Sequence, residues 1–251
     1  MCRSKISILF FWMFYIIIGL PNKASGQKNR LSEQTYRFFD GMRGQTNLGI
    51  FKGIAYSNPY RVVNERSQFF NTADFILGSV QYDGQPYFDI PLRYDVYNDQ
   101  LLVENSALAN TPIMIFDTSK VTSFSIGEHN FEHIDNEIPS SVTVGFFELL
   151  LDRSTLQLYK RHTKKIFKRT DEQTLYYEFK NGHYYLLRYQ EVYFRFKKVN
   201  ELPRIFSGQK KAIKEAVKQY GNLKKTDADA YVMAVLNNLL LMEPINKEKV
   251  R

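Results

Sequence analysis

An α+β fold is predicted: mainly an antiparallel β-sheet meander of hairpins, curved or barrel-like, closed by two C-terminal helices. Three observations predict it. Apolar and polar residues alternate with period two across much of residues 48–198, turn dipeptides punctuate that alternation, and after Pro203 the apolar spacing becomes helical. Strands followed by a block of helices indicate α+β rather than an alternating βα arrangement.

The elements follow in chain order. Residues 1–26 read as a secretory signal peptide. Arg3 and Lys5 precede an apolar run from Ile6 to Leu20 broken only by Ser7, Pro21 ends the run, and Ala24-Ser25-Gly26 offers small residues for cleavage after Gly26. An uncleaved anchor is the alternative, but the run is short against the roughly 20 residues that span a bilayer. Cleavage leaves residues 27–251 as a single domain with no transmembrane span. Cys2, the only cysteine, precedes the apolar run, and no Asn-x-Ser/Thr acceptor occurs. A cysteine-free exported chain of this size relies on a core rather than on disulfides, which suits a bacterial periplasm or cell surface.

Residues 30–40 read as a short helix or an arm. "LGIFKGIAYS" and "ADFILGSVQY" read as strands, and Asp83-Gly84 marks a two-residue hairpin turn. "LRYDVYNDQLLVEN" reads as a hairpin turning at Asn98-Asp99, with Val96 opposite Leu101, Tyr94 opposite Val103, and Asp95 on a solvent-leaning face beside Arg93. Short strands are expected at 112–116 and 121–126, and a long hairpin across Asp152-Arg153-Ser154. In "TLYYEFKNGHYYLLRYQ", Asn181-Gly182 reads as another two-residue turn. That turn sets Lys180 opposite His183 and puts Tyr177, Phe179, Tyr184 and Leu186 on one face. "VYFRFKK" alternates as a last strand. Helices are expected at about 208–220, with Ser207 as cap, and about 227–242, with Thr226 and Asp229 as a capping pair.

The order "GFFELLLD", "LQLYKRHTKKI", "NGHYYLL" and a closing helical pair resembles uncharacterised exported proteins of Gram-negative bacteria, as does the tyrosine-aspartate strand of Leu92–Asn105. The resemblance implies export and a β-rich fold, and it brings no known activity.

Charge is segregated: residues 27–150 carry 9 Lys/Arg against 15 Asp/Glu, and residues 151–225 carry 19 against 7. Such asymmetry points to contact between halves or to an anionic partner. The basic run "KRHTKKIFKR" supplies the candidate ligand-binding residues Lys160, Arg161, Lys164 and Lys165. An exported location disfavours nucleic acid and favours an envelope protein, anionic lipid or glycan. The plainer reading is a lysine-guarded edge strand or an extension beyond the core.

"HNFEH" matches the H-x-x-E-H pattern of inverted zinc peptidases, in which His129 and His133 would be metal ligands on a helix with Glu132 activating water. The same residues also suit a strand. Tyr176, Tyr185, Tyr189 and Tyr193 could stack on sugars, although tyrosine also packs well on half-buried sheets. Asp83, Asp89, Asp95, Asp99 and Glu104 are carboxylates without a marked pairing. There is no P-loop, no Gly-x-Ser-x-Gly elbow and no cysteine site, and no cofactor is implied. The sequence therefore favours a non-catalytic envelope protein that binds a protein, lipid or glycan. A small periplasmic hydrolase, zinc-dependent through His129 and His133 or using paired carboxylates, is the alternative.

Overall fold

In the computed structural model the period-two alternation takes shape as eleven antiparallel strands in one open sheet. Residues 33–37, 49–51, 53–63, 65–105, 111–135, 142–171 and 174–242 are described. The chain divides into two units, residues 1–42 and 43–251. Within the first, residues 33–37 make one helical turn braced by an Arg37–Glu33 ion pair at 2.7 Å. The expected leader, residues 1–26, lies outside the described residues. No described helix is long and apolar enough to cross a membrane.

The second unit contains β1 (Ile54–Ala55), β2 (Ile76–Tyr82), β3 (Gln85–Asp95), β4 (Gln100–Val103), β5 (Met114–Ile115), β6 (Val121–Ile126) and β7 (His129–Ile134). It continues with β8 (Gly145–Arg153), β9 (Leu156–Asp171), β10 (Thr174–Tyr189) and β11 (Val192–Phe196). The spatial order β1-β5-β4-β3-β2-β6-β7-β8-β9-β10-β11 is two meanders joined where β2 meets β6, and the sheet is not closed into a barrel. The helices are α1 (Leu202–Ile205), α2 (Lys210–Gln219), α3 (Leu223–Thr226) and α4 (Ala228–Met242).

Local chemistry explains several turns. Asp83-Gly84 joins β2 to β3 with φ of 52° and 76°, the mirror-image turn expected from its sequence. Asn181-Gly182 is not a turn. Both residues lie inside β10, opposite Lys164 and Thr163, in a ladder that pairs every residue from Thr174↔Asp171 to Tyr189↔Leu156. Neither residue has the positive φ that such a turn needs, and the Thr163 hydroxyl lies 2.8 Å from where a Gly182 Cβ would be, so the missing side chain admits a cross-strand neighbour. The positive-φ turn after β10 instead uses Gln190 (49°) and Glu191 (64°).

The β3–β4 register also differs from expectation by one side-chain period: Tyr94 pairs with Leu101 and Asp95 with Gln100. Asp95 causes the shift. Its carboxylate is fully buried and accepts hydrogen bonds from the Tyr97 and Asn98 amides at 3.1 and 3.0 Å, with the Asn98 side chain and the Tyr56 hydroxyl each at 2.9 Å. A carboxylate that binds the amides two and three residues on closes the turn immediately after itself. Asp95 is thus buried rather than solvent-leaning, and its charge is satisfied by donors.

Three apolar clusters hold the sheet. One gathers Leu92, Tyr94, Leu101, Phe124, Phe131 and Phe146. A second packs Leu156, Leu158, Tyr185, Leu187 and Phe196 against Ile213, Ala216, Val232, Val235 and Leu236 of α2 and α4. Cross-strand pairing places Phe131, Phe146, Leu158, Tyr185 and Leu187 on one sheet face, so both of these clusters lie on that face. The third cluster, with Phe147, Tyr159, Tyr184 and Leu186, covers the other face. Residues 56–63 and 65–71 act as a strap. The Val96 amide donates to the Gln68 carbonyl and the Phe70 amide to that of Tyr94, while the Tyr177 and Phe179 amides donate to the carbonyls of Arg61 and Arg66. The strap thereby ties the β3–β4 tip to the distal half of the β9–β10 hairpin.

Arg161 joins the same parts from the other side. Its guanidinium is buried, reaches Asp99 at 2.9 Å and donates to the Phe146 carbonyl. Gly145, with φ of 143°, leaves the space: a Cβ there would stand 1.9 Å from Asp99 Oδ2 and 2.7 Å from an Arg161 nitrogen. Gly145→Ala is expected to cost about 3 kcal/mol by breaking this pair and straining the backbone. Urea unfolding of the two proteins measures it, and a loss under about 1 kcal/mol contradicts the account.

Candidate functional site

A polar seam separates the two apolar clusters that share a sheet face. Its residues come from facing positions of four strands. Glu148 of β8 pairs with Lys160 of β9, Lys160 with Tyr185 of β10, and His162 with His183. His129 of β7 lies two residues before Phe131, the partner of Glu148, so it faces the same way.

Glu148 is the centre of the seam. His129 Nδ1 donates to one carboxylate oxygen at 2.5 Å and His162 Nε2 to the other at 2.6 Å. The Asn71 amide stands 3.4 Å from His129 Nε2, where it can donate to the neutral imidazole. Phe70 on the strap sets its ring edgewise against both imidazoles, each centroid 4.9 Å away. Burial acts to raise the Glu148 pKa, but the hydrogen bonds from His162 and His129 outweigh it and hold the carboxyl below its usual range.

Lys160 lies beside this group and bonds Asp229 of α4 at 2.5 Å, while the Tyr185 hydroxyl donates to the other Asp229 oxygen at 2.8 Å. His183 is pushed below the ordinary histidine range by burial and by the nearby Lys160. Asp229 was expected at a helix cap. That role falls to Asp227, which accepts from the Ala230 amide, and Asp229 is left to face the sheet.

Three adjoining hollows follow the hairpin. The distal one, about 610 Å³, lies between the strap and the hairpin, and Arg66, Lys164, Arg169 and Lys180 line it together with Glu65 and Glu178. Glu178 is matched by Arg169 at 3.1 Å and Arg66 at 3.6 Å. The middle hollow, about 230 Å³, shares Asn71, Lys164 and Asn181 with the distal one and adds Lys160, His162 and His183. The third, about 530 Å³, shares His183 and opens between β10 and the helices. Its lining includes Lys197, Lys198 and Lys224 beside Val199, Val217, Tyr231 and Val232. Neither the middle nor the third hollow has an acidic lining residue among the described residues.

The candidates from sequence distribute as follows. Lys160 and Lys164 fall on the seam face, and Lys164 donates to the Ser67 carbonyl at 2.9 Å while burial lowers its pKa. Arg161 and Lys165 point to the opposite face of β9, where Arg161 is committed to Asp99 and Lys165 lies over the Phe167 ring. The strand is flanked by β8 and β10 only from Leu156 to Lys160, and its basic residues from Arg161 onward lie past the last β8 pair. Past Lys160 the run therefore both extends beyond β8 and leaves one side of β9 without a strand partner among the described residues, so the extension and the edge-strand readings describe the same segment.

"HNFEH" is strand β7 rather than the helix that the zinc reading needs. His129 and His133 share a face with Phe131 between them, roughly 13 Å apart at strand rise. His129 bonds Glu148, and His133 packs against Phe146. No group of three or more His, Cys, Asp or Glu able to hold a metal ion occurs among the described residues. Tyr185 and Tyr189 are buried in the helix-side cluster, so they pack rather than form an exposed platform.

No family model, curated protein or solved structure matches this chain. The geometry of the site therefore carries the functional argument.

Glu148→Gln leaves one imidazole N–H facing an amide NH₂ and is expected to cost about 1–3 kcal/mol near neutral pH. Because the folded carboxyl titrates below its unfolded value, its stabilisation is present above the usual carboxylate range and is lost as pH falls through the folded value. The stability gap between the two proteins should accordingly narrow between about pH 7 and about pH 3 in urea titrations. A gap independent of pH contradicts the assignment.

Proposed function

We propose that this chain is an exported, non-catalytic protein of the bacterial envelope that binds an anionic partner along the β9–β10 hairpin. One observation carries the reading: lysines and histidines line the middle and helix-side hollows with no acidic lining residue among the described residues. Low-dielectric walls around clustered like charge concentrate counter-ions; Asp229 and Glu148 already meet Lys160 and His162, so the attraction for an anion comes mainly from Lys197, Lys198 and Lys224. The segregated charge of residues 151–225 agrees with this reading, as does the strap, which turns a flat hairpin into a recess.

Catalysis is the weaker reading because the polar groups are already matched to each other. Glu148 holds two imidazoles, Asp229 holds Lys160 and Tyr185, and Asp95 and Asp99 hold the β3–β4 tip. Two carboxylates poised across a cleft are what hydrolysis of a glycoside needs, and these four are each engaged in structural contacts.

Dextran sulfate serves as a generic polyanion. Binding measured by calorimetry is expected to weaken about tenfold when salt rises from about 50 to about 300 mM, as charge screening requires. Lys197→Glu with Lys198→Glu, both exposed positions, should weaken it further. Binding that ignores salt, or no binding at low salt, counts against the proposal.

A further inference from the structure

We infer that the helix-side hollow takes the hydrocarbon tail of a single-chain amphipathic anion, with its charged head held by Lys197, Lys198 and Lys224. The inference rests on the anion-binding reading and narrows it to one chemical class.

Shape and lining carry the argument. At about 530 Å³ the hollow falls within the range of small-molecule sites. Its walls are the side chains of Val199, Val217, Tyr231 and Val232, three of which, Val199, Tyr231 and Val232, are buried members of the helix-side core. Apolar walls that reach into a core gain nothing from a free sulfate or a hydrated sugar, whereas they gain from every methylene removed from water. The polar groups differ in kind from those of the distal hollow. Three lysines contribute here with no lining carboxylate among the described residues, while the distal hollow has Glu65 and Glu178 among its cations. The distal hollow also has apolar walls, Phe69, Phe167 and Phe179, but only the helix-side hollow combines apolar walls with cations and no lining carboxylate among the described residues.

The seam closes the inner end. Tyr185 and His183 line the hollow, and the Tyr185 hydroxyl is engaged with Asp229, which in turn holds Lys160. Asp229 thus takes up both the Tyr185 hydroxyl and the Lys160 ammonium, and Tyr185 itself remains part of the lining. Burial and Lys160 both favour the neutral form of His183, which is compatible with an adjacent tail.

Alkyl phosphates provide the test, because headgroup and tail vary separately. The shared chemistry, an anionic head on a hydrocarbon chain, could come from a free fatty acid or phosphate ester or from a lyso-lipid. Dodecyl phosphate and lyso-phosphatidylglycerol, below their micelle-forming concentrations, distinguish these sources. Affinity should rise about fourfold for each methylene between octyl and decyl phosphate, the value for full burial of a CH₂. Inorganic phosphate and dodecyl maltoside should each bind at least about tenfold more weakly than dodecyl phosphate. Ala228→Trp fills the mouth from an exposed position at the start of α4, with little burden on folding. It should abolish dodecyl phosphate binding and leave dextran sulfate binding unchanged, and Lys224→Glu should weaken the alkyl phosphates but not dodecyl maltoside.

Chain-length independence, or Ala228→Trp without effect, overturns the inference. If dextran sulfate still binds in a salt-dependent way, the broader anion-binding proposal survives that result. Loss of both overturns both.

Discussion

The β9–β10 ladder is the constraint on which the rest of the structure depends. Sixteen consecutive residue pairs fix which side chains face each way over a length that β8 and β11 cover only in part. Because side chains alternate strictly, this one register sends Leu158, Lys160, His162, His183, Tyr185 and Leu187 to a common face. The apolar members of that set found the helix-side core, and the polar members form the seam. Beyond β8 the hairpin continues alone, and the strap and its aromatic ring cluster of Tyr60, Tyr97, Tyr177 and Phe179 cover it.

Burying charge along such a face is costly unless every charge is met. A buried carboxylate without partners would neutralise itself or unfold its surroundings. The buried Glu148 and Asp95 and the half-buried Asp99 show three ways of avoiding this. Glu148 uses imidazole donors, Asp95 uses the amides of its own turn, and Asp99 uses Arg161 with the Tyr94 hydroxyl at 2.5 Å. All three lie where separate parts of the chain meet: β7 with β8 and β9, the strap with the β3–β4 tip, and that tip with β9. Polar contacts of this kind add less net stability than apolar packing, but the loss of one partner is heavily penalised, so they specify which parts meet.

Much of the architecture was legible in the sequence, for identifiable reasons. The α+β class, the order of strands then helices, the Asp83-Gly84 turn and the helices near 210–219 and 228–242 follow from local periodicity and turn chemistry, which act within a few residues. Asn181-Gly182 misled because its local preference competes with sixteen cross-strand pairs, and the ladder outweighs one favourable turn. That single error moved Tyr184 and Leu186 to the wrong face relative to Tyr177 and Phe179, since a reversal at Asn181-Gly182 changes the parity of everything beyond it. The seam was illegible for a related reason. Glu148, His162, His183 and Asp229 lie on four elements separated by up to 81 positions in sequence, and only the register and the docking of α4 bring them together. The spacing of His129 to His133 suggests a metal pair, yet the partner of His129 is a glutamate one strand away. The charge excess after residue 150 and the basic run with Lys160 and Lys164 are the sequence signals that fall on the β9–β10 hairpin, where the proposed anion site lies.

Cross-strand disulfide trapping tests the central claim, the continuous β9–β10 register, most directly. In a Cys2→Ser background, Lys165→Cys with Lys180→Cys occupies a directly facing pair, at a Cα separation of roughly 4.5–5.5 Å that suits a disulfide. Lys180→Cys with His183→Cys would face each other only if Asn181-Gly182 were the turn. The account predicts that the first pair oxidises readily without loss of stability and that the second stays reduced. Ready oxidation of the second pair would contradict the register and, with it, the assembly of the Glu148 seam.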